Sequence, residues 1–159
     1  VIPEYITFGN SNSQNKKYDY VFHIRNRQDV REKDNWSIDN WMELRKLLDS
    51  NGKTFACVGT KTSSGIIDNV DDLRGIPLKE LFGILHKSEY VFGSSSGPLH
   101  LASLCGAKHV VWGDRSLSLD RYENNWNPHH TPVLFIEKYK WHPPAKYVYE
   151  QYLNWRKDD

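Results

Sequence analysis

Two stretches, far apart along the chain, hold most of the residues able to do chemistry. The first is Gly93-Ser94-Ser95-Ser96-Gly97-Pro98, three hydroxyls bracketed by glycines and followed by proline, with His100 two residues on. Proline suits the first position of a helix, and a helix start carries partial positive charge and unpaired N–H groups, the combination that binds phosphate. The second stretch is residues 23–36, where Arg25, Arg27, Arg31 and Lys33 alternate with Asp29 and Glu32. Smaller contributions come from Gly59-Thr60-Lys61 and Gly113-Asp114-Arg115. Taken singly, the serine turn reads as a helix cap with a satisfied histidine, and the arginine stretch as a solvated surface. On neighbouring strand ends they read together as an anion site. The expected ligands are then Arg25, Arg27, Lys33, Thr60, Ser94, Ser95, Ser96, Gly97 and His100. Asp114, Arg115, Arg121, Tyr122 and Asn127, in a long polar loop, are expected to line the same cleft.

For these groups to meet, the intervening sequence must put them at one end of a sheet. Residues 20–24, 53–58, 90–92, 109–112 and 133–136 are short apolar runs of the kind that form buried strands, with a further short strand expected near Ile66 and Ile67. Amphipathic stretches alternate with them. Ser37 is placed to cap a helix to about Ser50, whose Ile38, Trp41, Leu44 and Leu48 share a face before Gly52 stops it. Pro77 opens a second helix with Leu78, Leu81, Phe82 and Leu85 at helical spacing. Residues 98–105 form a third, closed by Gly106. Pro144 starts a fourth to about Trp155, with Val148, Tyr152 and Trp155 on one side. Strands alternating with helices predict an α/β fold: a Rossmann-like, doubly wound parallel sheet with helices on both faces. In such sheets ligands lie beyond the carboxyl ends of the strands, where every loop named above falls. Residues 1–17 read as an N-terminal segment and linker, and 18–159 as the domain.

Composition narrows the classes. The 159 residues carry 21 Lys+Arg against 20 Asp+Glu, too even a balance for a general nucleic-acid binder. The length suits one domain with a real core. No apolar run approaches the ~20 residues of a membrane span, and no signal-peptide pattern opens the chain. Cys57 and Cys105 each lie in an apolar stretch, as reduced thiols of a cytoplasmic protein would. Asp68, Asp71 and Asp72 are close in sequence but read as a solvated turn, so no metal site is expected. His129 and His130 read as surface residues. The chain begins at Val1, as a piece of a longer protein would.

The stretch VFGSSSGPLHLASLCGAKHVVWGD resembles the signature of heptosyltransferase-like glycosyltransferases, family nine and its relatives. The resemblance runs back through Asp72-Leu73-Arg74-Gly75 and the Leu78–Leu85 helix to the blocks at Trp36 and Trp41, covering roughly residues 18–115. The run from Arg121-Tyr122 to Trp126-Asn127-Pro128, with Trp141, is similar to polysaccharide-assembly members of the group. It implies the GT-B architecture of two Rossmann-like halves, this chain being the C-terminal, donor-binding one. It further implies an ADP-, GDP- or UDP-linked sugar donor, a glycan acceptor and inverting transfer without cofactor or metal. The catalytic base would lie on the N-terminal half, so the isolated chain is expected to be inactive. Peripheral membrane association through the full-length protein is compatible with it. Ser96, Gly97 and His100 fall on the family's donor motif. Ser95 stands where the family has Asp, and Asp34 where it tends to have Lys before the tryptophan, which leaves Lys33, Arg25 or Arg27 as the diphosphate cation.

Three other readings are distinguishable. His23-Ile24-Arg25 with Asp29 is similar to the His-x-Arg motif of fucosyltransferase-like enzymes, whose Arg contacts GDP-fucose. A non-catalytic nucleotide- or glycan-binding module would tolerate Ser95. A flavodoxin-like domain would need a hydroxyl-rich first loop, whereas this one is arginine-rich.

Overall fold

A computed structural model describes residues 17–114 and 130–156. Its centre is a six-stranded, all-parallel sheet in the order β3-β2-β1-β4-β5-β6. The strands are β1 (Tyr20–His23), β2 (Phe55–Cys57), β3 (Asp71–Asp72), β4 (Tyr90–Ser94), β5 (Lys108–Trp112) and β6 (Val133–Ile136). The helices are α1 (Ile38–Leu48), α2 (Leu78–Lys87), α3 (Gly97–Leu104) and α4 (Ala145–Arg156), with a 3-10 turn at Glu32–Asp34. This is the Rossmann strand order rather than the 2-1-3-4-5 order of flavodoxin-like domains. The expected α/β fold is the one observed.

Strand side chains alternate between two cores, which is why the strands read as unbroken apolar runs rather than alternating ones. Tyr20, Phe22 and Phe92 join Trp41, Leu44, Val148 and Tyr152 of α1 and α4 on one face. Val21, Val91 and Val111 join Phe82, Leu85, Leu99 and Ala102 of α2 and α3 on the other. Beneath the first face three tryptophans interlock. Trp36 lies 4.9 Å from Trp41 and 4.5 Å from Trp112 between ring centroids, and its indole N–H donates to the Pro143 carbonyl at 2.7 Å. Ser37 caps α1 as expected, accepting from the Asn40 amide.

One expected strand is elsewhere. Ile66 and Ile67 do not pair into the sheet; Ile67 is buried and Ile66 packs against the same core. The edge strand is Asp71–Asp72, paired with Ala56 and Cys57. Exposed edge carboxylates give no apolar signal to read. Here Tyr18 donates to Asp71 at 2.7 Å, and Arg74 grips Asp72 through Nε at 2.9 Å and Nη2 at 3.0 Å, drawing that carboxyl down to about 2. No group of three or more metal-ligating side chains occurs among the described residues. Nor is any described helix long and apolar enough to cross a membrane. Both thiols are buried and free, with burial pushing each up to about 12.

Candidate functional site

β1 and β4 are neighbours in the sheet although separated in sequence, and they end side by side, His23 opposite Gly93. The crossovers on either side of them lie on opposite faces, so a crevice opens at this switch point. The chain leaving β1 keeps Arg25 against the protein, bridged to Ser64 and only 6% exposed. Its Nη1 donates to the Ser95 carbonyl at a long 3.3 Å, while Nε and Nη2 have no hydrogen-bond partner among the described residues. Burial lowers the guanidinium's pKa, and the like charges of Arg31 and Arg27 add to the effect. A buried cation with unmatched N–H edges is costly, and an anion in the crevice would relieve it.

The chain leaving β4 supplies the other wall. The Ser95 amide donates to the Trp112 carbonyl at 2.8 Å, fixing the turn to β5. The Ser96 hydroxyl meets His23 Nδ1 at 3.1 Å and does not cap α3. Helix α3 therefore starts at Gly97 and Pro98 without a capping hydrogen bond from the Ser96 side chain. A Cβ built on Gly97 would meet nothing within 4 Å. Gly59, after β2, is held at φ +125°, where a Cβ would strike Ser64 at 2.8 Å and the His23 ring at 2.9 Å. It is needed to let these strand ends close up.

His23 is itself buried, and desolvation, aided by Arg25, takes its pKa down to about 4. It is a neutral hydrogen-bonding group at neutral pH. His109, buried between Ser103 Oγ and the Ala107 carbonyl, is likewise lowered to about 4, chiefly by desolvation. Both values lie below the ordinary 6.5, so the unfolded chain binds more protons than the native one between those limits. Stability is therefore full above about pH 6.5 and falls as the pH drops toward 4, by on the order of a few kcal/mol per histidine. Urea unfolding at about pH 7.5 and about pH 5 checks this; equal midpoints would contradict it.

The crevice is a cleft of about 1260 Å³ with two characters. Its polar lining includes Arg25, Arg27, Arg31, Thr60, Ser95, Ser96 and Gly97, and its aliphatic lining Ile76, Leu78, Leu81, Leu101 and Leu104. His23, His100, Asp29 and Trp141 also line it. Of the residues expected from sequence, Arg25, Arg27, Thr60, Ser95, Ser96, Gly97 and His100 are thus brought together. Lys33 is exposed on the 3-10 turn and does not line the cleft. Ser94 is buried as the last residue of β4, which runs two residues past the apolar run that marked it. Asp114 is half-buried after β5 and also outside the lining. Arg115, Arg121, Tyr122 and Asn127 lie outside the described residues.

Two features escaped the sequence. The aliphatic wall uses positions of α2 and α3 that helical spacing assigns to core, and Leu78 is in fact 58% exposed. Trp141 comes from the turn after β6; the sequence marked it only within the run similar to polysaccharide-assembly members, without placing it in the cleft. Asp29, the one carboxylate among the described lining residues, is tied to the Arg27 guanidinium at 2.5 Å and the Arg31 amide at 2.8 Å. These contacts, the Arg31 amide foremost, hold its pKa below the usual carboxylate value.

No protein-family model matches this chain, and no curated protein does. Solved structures do. It is similar to E. coli heptosyltransferase WaaC, solved with ADP, at 15% identity and a TM-score of 0.62, over 91% of this chain and 46% of that one. It is similar to a glycosyl transferase of family 9 from Veillonella parvula at 12% identity and a TM-score of 0.58, over 79% of this chain and 36% of that one. A third is the dodecameric iron-containing heptosyltransferase TibC, in complex with ADP-D-beta-D-heptose, at 17% identity and a TM-score of 0.50, over 80% and 31%. The chain thus spans less than half the length of each. By fold it is heptosyltransferase-like, of the type found in glycosyltransferase family nine.

Proposed function

We propose that this chain is the donor-binding, C-terminal half of a GT-B glycosyltransferase, holding a nucleotide-sugar whose diphosphate lies between Arg25 and the start of α3. The observation that carries this reading is the buried Arg25, with two unmatched N–H edges, across one cleft from the uncapped helix start at Gly97. A doubly charged diphosphate satisfies both at once. The aliphatic part of the cleft lining would receive the nucleoside. In transfer, negative charge builds on the departing nucleoside diphosphate, and Arg25 with the α3 amides would stabilise it. The acceptor, a glycan, then attacks the anomeric carbon from the opposite side, inverting it, while a base takes its proton. Asp29 suits that last role poorly, because its guanidinium and amide contacts favour the ionised form and so weaken it as a base. The base is assigned to the other half.

Two of the similar structures were solved with ADP or an ADP-linked heptose, which makes ADP the first probe. Calorimetric titration with ADP, GDP and UDP should give saturable binding of at least one, weakening as salt is raised. GDP binding strongly preferred over ADP would favour the fucosyl-type donor, which Arg25 serves equally well. A folded chain that binds none of the three contradicts the proposal. Sugar transfer by this chain alone would contradict the assignment of the base.

A further inference from the structure

If the cleft holds a diphosphate, something must hold Arg25. The guanidinium makes no ion pair among the described residues, and its one hydrogen bond is the long contact to Ser95. What lies against it is the Trp141 ring, 5.3 Å from the guanidinium carbon to the ring centroid, with the Arg31 guanidinium carbon 5.7 Å from the same ring. Arg31 is in turn within 3.4 Å of Asp34, on the far side of the arginine segment.

Trp141 is well fixed. Its ring edge would lie 3.4 Å from a Cβ on Gly113, contact distance, so the indole packs against the end of β5. Its own turn is closed by the Lys140 amide donating to Glu137 and the His142 amide to Tyr139, both at 3.0 Å. Two residues on, Pro143 accepts from the buried Trp36 indole and ties the turn to the tryptophan cluster.

Chemistry explains the choice of an aromatic. A carboxylate would restrain Arg25 by occupying one of its N–H edges, leaving fewer donors for a ligand. An aromatic ring attracts the cation through its π face and leaves the N–H edges open. The edges found without partners, Nε and Nη2, are what this arrangement preserves. We infer that Trp141 is a positioning residue, holding the Arg25 guanidinium by its face so that its edge is presented to a phosphate in the cleft. The inference rests on the donor-site reading above.

The rival role for an aromatic at this position is direct stacking on the nucleoside, and inorganic pyrophosphate, which has no base, separates the two. Calorimetry would measure ADP and pyrophosphate on the wild-type chain, Trp141→Phe and Trp141→Leu, with Trp141→Met as a second variant that fills space without a π face. Melting temperatures are recorded alongside. Positioning through Arg25 predicts that Trp141→Leu and Trp141→Met weaken both probes by a similar factor, roughly tenfold. Trp141→Phe, keeping a smaller π face, should recover most of that loss. Weakened ADP with unchanged pyrophosphate would mean that Trp141 touches the nucleoside, and would overturn the inference. So would unchanged affinity for both. A wild-type chain that binds neither probe instead removes the donor-site reading, a result distinct from either.

Discussion

Replacing Arg25 with alanine should lower ADP affinity by at least about a hundredfold while leaving the melting temperature within a few degrees of the wild type. The two halves of this expectation have different causes. Affinity collapses because the guanidinium is the one buried cation among the described residues of the cleft lining, and a phosphate that enters without it is desolvated with less counter-charge. Stability holds because the side chain contributes little to the unliganded fold. It has one long hydrogen bond and two unmatched N–H groups, and removing a poorly matched buried charge offsets the loss of its contact with Trp141. Arg25→Lys should fall between, since an ammonium supplies charge without the planar pair of edges. Calorimetry with thermal melts checks both halves. A variant that unfolds without losing affinity when refolded would make Arg25 structural.

Gly97→Val should also weaken binding, by a steric route. An anion bound at the start of α3 must approach its amides to about 3 Å. Gly97 lines the cleft, and an added Cβ meets nothing within 4 Å, so a valine there fits the protein and stands instead in the open space a ligand would use. Folding should not suffer, because valine is no worse than glycine at a helix position and loses less backbone freedom. The expected cost to ADP affinity is roughly tenfold or more, from displacing the charge-assisted hydrogen bonds made there. Gly97→Ala should lie between wild type and valine in binding and should melt no lower than wild type, because alanine loses less backbone freedom on folding. Full affinity in the valine variant would place the phosphate away from this helix.

The parts of this site that could be read from sequence are those governed by local rules. Pro98 after Ser96-Gly97 marks a helix start, and short apolar runs mark buried strands. The carboxyl ends of those strands then bring Arg25 and Ser96 to one rim. What local rules miss is set by tertiary context. The β3 edge is made of two exposed aspartates because Tyr18 and Arg74, not an apolar face, secure it. Ser94 was expected among the ligands, yet two further residues of pairing with β5 carry it inside the sheet. Lys33, expected beside Arg25, sits on a 3-10 turn that leaves it exposed. Trp141 lines the cleft from a turn that Trp36 ties to the core, a contact between segments far apart in sequence. His23 shows the same limit from the other side: the strand was evident, but not that burial would keep its imidazole neutral and bonded to Ser96.

The shared cleft is tested most directly by an experimental structure of this chain with ADP bound. The account predicts phosphate oxygens within about 3 Å of the Arg25 guanidinium and of the first amides of α3, with the nucleoside toward Leu78, Leu81 and Leu101. A bound diphosphate that touches neither Arg25 nor the Gly97 end of α3 would contradict it.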